Sequence, residues 1–205
     1  STYYSVYFLT EAQGFAVGEF GIIAYTSDGG SSWSFQNNPA NFGLYGVSNN
    51  GDYSWVTGDG GMILQSGDLG STWTRLYVDV SNRLRAIMPR GEEVLIAGNN
   101  GIVLKTINSG QNWTAQYLSP SNLNDIAFPG YGNWGWIAGN SGNIWFTPDF
   151  GDSWSQQSTG TQRDLNGLYF IDASCGWAVG DYGTLLKYEG SSLPKTIYVD
   201  DDNTS

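Results

Sequence analysis

The octapeptide Ser66-Gly67-Asp68-Leu69-Gly70-Ser71-Thr72-Trp73 constrains this chain more than any other stretch, because three looser copies of it recur. The copies run Thr26–Trp33, Thr106–Trp113 and Thr147–Trp154, so the closing tryptophans fall at positions 33, 73, 113 and 154. Spacings of 40, 40 and 41 residues signal an array of like supersecondary units. Each copy reads as a hairpin corner. The Ser or Thr, and the Asp or Asn two residues later (Asp28, Asp68, Asn108, Asp149), are suited to bonding nearby backbone N–H groups. The glycine two after the acid supplies a positive-φ position, and Trp33, Trp73, Trp113 and Trp154 are large apolar anchors with one N–H to satisfy.

A second element alternates with the first. It reads Gly18-Glu19-Phe20-Gly21, Gly58-Asp59-Gly60-Gly61, Gly98-Asn99-Asn100-Gly101, Gly139-Asn140-Ser141-Gly142 and Gly180-Asp181-Tyr182-Gly183. Two residues between glycines predict a tight or glycine-bulged β-hairpin. Short apolar runs such as Trp55-Val56 and Ile63-Leu64 flank these turns and suit strands covered on both faces. A further strand precedes each unit, beginning at Tyr3, Leu44, Leu84, Leu123 and Leu165, and another follows each box tryptophan. Four short strands per period make one propeller blade.

The boxes resemble those of the Asp-box (bacterial neuraminidase repeat) propellers, especially the photosystem II assembly factor family. Periodicity and resemblance together predict an all-β, five-bladed β-propeller of four-stranded blades, at about 3–43, 44–83, 84–122, 123–164 and 165–192. The fifth unit lacks the box Asp and Trp. Residues 193–205 then form either a closing strand around Ile197-Tyr198-Val199 or a linker to a downstream domain. Tyr198–Asn203 is similar to the segment opening many secreted parallel β-helix domains, so the chain is expected to come from a larger protein.

Composition removes several function classes. A formal charge of −11 with eight basic residues argues against nucleic acid and against an anionic membrane surface. No histidine is present, which removes His-based triads and nearly every familiar zinc site. The single cysteine, Cys175, cannot form an internal disulfide. No apolar run approaches the length of a bilayer span.

The box acids read as structural, since Asn108 fills an acid's place and an amide cannot serve as a general acid or base. Sialidases carrying these boxes use three arginines, a tyrosine–glutamate pair and a further acid, with an Arg-Ile-Pro signature that is absent here. The resemblance therefore does not carry that enzyme with it. The innermost strands are the better place for a site, because they line or cap a propeller channel. Their second positions are Tyr4, Tyr45, Arg85, Asn124 and Asn166, with Asp125 an added acid, and these residues either solvate the channel or bind a polar ligand. Trp134, in the long loop 129–135, either stacks on a partner or packs on a neighbouring blade. Asp200, Asp201 and Asp202 read as a solvated linker or as oxygen ligands for calcium, and no other cofactor is expected.

The expected function is a non-catalytic binding or scaffolding module of a secreted or cell-surface protein. Its expected partner is a protein or a glycan, with no nucleic acid and no direct membrane insertion. Two alternatives stand beside it. One is a glycosidase-like enzyme using carboxylates from several blades, and the other is an assembly factor for a protein complex.

Overall fold

The computed structural model describes residues 1–130, 132–189 and 197–199. It contains five four-stranded antiparallel sheets, the blades of an all-β propeller fold. The first blade is β1 (Tyr3–Phe8), β2 (Gly14–Gly18), β3 (Ile23–Thr26) and β4 (Ser34–Phe35). The second is β5 (Leu44–Asn49), β6 (Ser54–Gly58), β7 (Ile63–Ser66) and β8 (Thr74–Leu76). The third is β9 (Leu84–Arg90), β10 (Glu93–Gly98), β11 (Ile102–Thr106) and β12 (Thr114–Tyr117). The fourth is β13 (Leu123–Ala127), β14 (Gly135–Gly139), β15 (Ile144–Thr147) and β16 (Ser155–Gln157). The fifth is β17 (Leu165–Asp172), β18 (Cys175–Gly180), β19 (Leu185–Glu189) and β20 (Ile197–Val199). Ile197 opposes Tyr188 and Val199 opposes Leu186, so the segment after Pro194 supplies the fourth strand of the last sheet.

The chain divides into two compact units, Ser1–Gly98 with Leu104–Ala115, and Asn99–Val103 with the chain from Gln116. In the first unit, β5 packs on β1 and β2, and β9 packs on β5 and β6. Its core joins Phe15, Val17 and Ile23 of the first blade to Leu44, Val47, Leu64 and Trp73 of the second. In the second unit, β17 packs on β13 and β14, and Trp136 stacks on Phe170 at 4.0 Å between ring centroids.

The Gly-x-x-Gly turns differ from a two-residue hairpin. Each is a short 3-10 step in which the third residue and the closing glycine both adopt positive φ, as in Phe20 (58°) and Gly21 (75°). The opening glycine is extended, and its role is close approach. A Cβ on Gly58 would lie 2.5 Å from the Gly43 carbonyl oxygen, which accepts the Asp59 N–H at 2.9 Å. Thr2, Asn122 and Asp164 make the same carbonyl contact in their own blades. The turn therefore binds the residue that leads into the innermost strand.

The box corners form one repeated hydrogen-bond pattern. Ser66 Oγ donates to Asp68 Oδ1 at 2.8 Å and accepts the Gly70 N–H at 2.8 Å. Asp68 then accepts the Thr72 N–H at 2.8 Å and the Thr72 hydroxyl at 2.6 Å. The Thr26–Asp28 and Thr147–Asp149 boxes repeat every one of these bonds. In the third box, Asn108 Oδ1 keeps the bonds from Thr106 (2.9 Å) and from the Asn112 N–H (3.0 Å). The hydroxyl and N–H of Ser32 and the hydroxyl of Thr26 pull the Asp28 carboxyl down to about 2. The same kind of donors, led by the Thr72 hydroxyl, lower that of Asp68.

The second and third boxes also seat on the preceding blade. Trp73 meets Phe15 edge-on at 5.7 Å, and Trp113 meets Trp55 edge-on at 6.4 Å. A Cβ on Gly70 would lie 2.7 Å from the Phe15 ring. The tryptophans are not buried alike, for Trp73 is 8% exposed and Trp33 is 40% exposed. The expected bond from the indole N–H also divides them. It reaches a box glycine carbonyl in Trp33 and Trp113, but finds no partner among the described residues in Trp73 and Trp154.

Trp73→Ala is expected to lower the unfolding free energy by roughly 3–5 kcal/mol, as for a buried aromatic truncation. Trp33→Ala, at an exposed position, should cost about 1–2 kcal/mol. Asp68→Asn should cost less than about 1 kcal/mol, because an amide oxygen can keep the two Oδ1 bonds. Urea denaturation of the three variants checks the order, and an Asp68→Asn loss as large as that of Trp73→Ala would contradict it.

Candidate functional site

The second residue of every innermost strand is a bulge. In the first blade Tyr3 opposes Gly18 while Ser5 opposes Val17, leaving Tyr4 without a ladder partner. The same step isolates Tyr45, Arg85, Asn124 and Asn166. A bulge inserts one residue into one strand and re-aims its side chain. At Tyr4, Tyr45, Asn124 and Asn166 the side chain meets the residue just inside the Gly-x-x-Gly turn of its own blade. Tyr45 Oη donates to Asp59 Oδ2 at 3.1 Å, Asn124 Nδ2 to Asn140 Oδ1 at 2.8 Å, and Asn166 Nδ2 to Asp181 Oδ1 at 2.7 Å. Tyr4 makes a longer contact of the same kind, 3.4 Å to Glu19.

In the first unit these contacts grow into a cluster. Tyr4 stacks on Tyr45 at 4.8 Å, and the Arg83 guanidinium lies over the Tyr45 ring at 4.3 Å. Arg83 Nε also donates to Asp59 Oδ1 at 2.6 Å, so one carboxylate holds both the arginine and the tyrosine hydroxyl. Burial and the hydrogen bond to Asp59 raise the Tyr45 phenol. Half-buried Arg85 is pushed below its usual value by desolvation and by the like charge of Arg83. The cluster offers a cation over an aromatic face beside a bidentate-capable guanidinium, a set suited to planar anionic and peptide groups. Arg83 and Asp59 escape a strand-by-strand reading because they lie one residue before β9 and just inside a turn. Their signal was the ladder of turn residues Glu19, Asp59, Asn140 and Asp181.

In the second unit the hydrogen bonds stay within and between two blades. Asn124 Nδ2 also donates to the Leu165 carbonyl at 2.9 Å. Asp125 accepts the Leu168 N–H at 2.7 Å through Oδ2 and the Ile126 N–H at 2.9 Å through Oδ1. Its counterpart Gly46 shows why this position is usually small, for a Cβ there would meet Thr57 Oγ1 at 2.6 Å and the Arg85 carbonyl at 2.8 Å. Asp125 instead crosses to the fifth blade as a carboxylate. Trp134 is 45% exposed and extends from a loop tied to the box of its own blade by the Phe150 N–H bond to the Asn133 carbonyl. A groove of about 480 Å³ lies between Ser141–Asn143 and Gln156–Gln162 and holds none of the candidate residues.

The Asp200–Asp202 run lies outside the described residues. Among the described residues, no three Asp, Glu or Cys side chains gather to hold a metal ion. No helix among them is long and apolar enough to cross a membrane.

Desolvation raises the Asp125 carboxyl from 3.8 to about 6, with the Leu168 and Ile126 N–H groups opposing. The folded chain therefore holds a proton there that the unfolded chain releases near its ordinary value. The associated stability is fully present below that ordinary value and is lost as pH rises through the folded one. Its size is on the order of 2–3 kcal/mol. The unfolding free energy of the parent chain less that of Asp125→Asn should fall by about 2–3 kcal/mol as pH rises across this window, since the lowered box acids contribute alike to both. An unchanged slope in the variant would contradict the assignment.

The sequence profile of the family described as Photosynthesis system II assembly factor YCF48 matches residues 1–84 and 118–189. Among curated proteins, none matches the chain. Among solved structures, one of YCF48 bound to D1 peptide is 21% identical, with a TM-score of 0.56, over 98% of this chain and 82% of that one. YCF48 from Cyanidioschyzon merolae is 21% identical, with a TM-score of 0.77, over 98% of this chain and 71% of its own. An ancestral GH74 enzyme superposes with a TM-score of 0.80 at 13% identity, over all of this chain and 32% of that enzyme. At such identities the structural likenesses speak to fold alone. The profile match spans well over half of the chain, and the chain belongs to the YCF48-type photosynthesis system II assembly factor family of Asp-box propeller proteins.

Proposed function

We propose that the chain is a protein-binding propeller of the assembly-factor kind, recognising a short peptide segment of a complex subunit. The observation that carries this reading is the family match, which favours the assembly-factor alternative over a glycan-binding module. A structure of YCF48 with a D1 peptide supplies the class of ligand.

The backbone adds a physical argument from this chain itself. At the third position of the Gly-x-x-Gly turns, where φ is positive, the middle three blades carry Gly60, Asn100 and Ser141. These are small or polar residues. The first and fifth blades carry Phe20 and Tyr182, which are 75% and 86% exposed. A bulky residue in this conformation costs roughly 1–2 kcal/mol; in the fifth blade the Arg163 guanidinium over the Tyr182 ring, at 4.4 Å, offsets part of it. Strain kept at an exposed aromatic favours a contact role. Phe20 adjoins Glu19, the partner of Tyr4, so it flanks the Tyr4–Tyr45–Arg83 cluster in sequence and hydrogen bonding.

The test pairs binding with stability. A D1 peptide and a peptide array are expected to bind, whereas a glycan array and glycosidase assays give nothing. Phe20→Asn should weaken peptide binding while raising the unfolding free energy by about 1 kcal/mol, through relief of backbone strain. Glycan binding or hydrolysis without peptide binding would overturn the reading. So would a Phe20→Asn variant that gains stability and binds as before.

A further inference from the structure

The residue two positions after each box tryptophan is Phe35, Arg75, Ala115 and Gln156 in the first four blades. All four stand on the outermost strand of their sheet. In the second blade the long side chain at this position is put to use. The Arg75 guanidinium lies over the Tyr77 ring at 4.8 Å, and its Nε is shielded from solvent. In the third blade the same position is a methyl group, and a cleft of about 260 Å³ opens beside it, between the second and third blades.

The cleft lies wholly within the first unit and is amphipathic. Leu104 is buried in it, Val78, Val80 and Trp113 are half-buried, and Tyr77 stands exposed at its rim. The Trp113 indole N–H is already bonded to the Gly110 carbonyl at 3.1 Å, so the ring offers the cleft surface rather than a donor. Asp79, Gln111 and Asn112 are exposed around it. Among the described residues none of these three side chains has a hydrogen bond or an ion pair, for Gln111 and Asn112 are engaged only through their backbone N–H groups. Asp79 is also the one charged residue lining the cleft among the described residues, since Arg75 lies outside it.

We propose that this cleft receives a basic side chain, lysine or arginine, from the protein segment that the chain recognises. The inference rests on the peptide-binding reading above and adds the chemistry of one ligand side chain. An alkyl stem covers Val78, Val80 and Leu104 while its charged head stays at the rim. The head finds the Trp113 and Tyr77 rings, which attract a cation, and the unpaired Asp79 carboxylate, which accepts a charge-assisted hydrogen bond. An acidic side chain would instead meet Asp79 as a like charge. The net charge of −11 favours approach of a basic segment in the same sense. The second blade makes this contact within the chain, with Arg75 laid on a tyrosine. Ala115 leaves the corresponding place in the third blade to a side chain from outside.

Acetyl-arginine methylamide and its neutral counterpart, acetyl-citrulline methylamide, are the probes. Each is titrated into the isotope-labelled chain, and NMR follows the Trp113 indole N–H and the side-chain amides of Gln111 and Asn112. The arginine compound is expected to shift these signals saturably, and the citrulline compound to leave them in place. Asp79→Asn should weaken arginine binding by about 2- to 5-fold, the scale of an exposed ion pair. Ala115→Arg, at an exposed position, should fill the cleft and abolish binding with the circular dichroism spectrum kept. No saturable shift, an equal response to citrulline, or undiminished binding in either variant would overturn the proposal. On a peptide array, bound sequences should be enriched in lysine and arginine, and Ala115→Arg should erase the enrichment. Peptides bound without it would overturn this inference and leave the peptide-binding reading standing. Arginine binding by a chain that binds no peptide would support the cleft and sink that reading.

Discussion

One hydroxyl group in each of four hairpin corners sets the terms for the rest of the fold. Thr26, Ser66, Thr106 and Thr147 are all buried, and each hydroxyl donates to the Asp or Asn two residues on while accepting the N–H of the box glycine. A buried hydroxyl and a buried amide would each be costly alone, and here each satisfies the other. The bond holds the glycine at positive φ and so aims the box tryptophan. At the second and third boxes that aim delivers Trp73 to Phe15 and Trp113 to Trp55 of the preceding blade. A local turn thereby becomes the contact that passes order from blade to blade.

With the corners fixed, the innermost strands are free to vary. Each has a bulge at its second residue, and at Tyr4, Tyr45, Asn124 and Asn166 the bulged side chain is tied back to the Gly-x-x-Gly turn. The same backbone device presents stacked tyrosines under an arginine in the first unit and amides in the second. The side chains presented change from blade to blade, while the bulge that presents them is common to all five.

Much of this was legible in the sequence, for definite physical reasons. The boxes recur at a fixed period, and each is specified by residues whose roles are local, so strand count, blade order and the structural part of the box acids follow from spacing. The bulges were not legible, because a bulge is a relation between two strands and the side chains at Tyr4, Tyr45 and Arg85 carry no sign of it. Arg83 and Asp59 were missed for the same reason, since their pairing links a turn to the strand entry of the following blade. Trp33 closes its box as Trp73 does, yet it is 40% exposed against 8%, because burial depends on what stands opposite and not on the motif. The aromatics at Phe20 and Tyr182 were visible as residues but not as strained ones until φ was known.

The claim that the box hydroxyl anchors each corner is tested most directly by replacing it. Ser66→Ala leaves the buried Gly70 N–H without its acceptor and removes one donor from Asp68, whereas Ser66→Thr installs the residue that the other three boxes use. Urea unfolding of both variants should show a loss of about 1–3 kcal/mol for Ser66→Ala and near-parent stability for Ser66→Thr. Equal stabilities for the parent chain and Ser66→Ala would contradict the account.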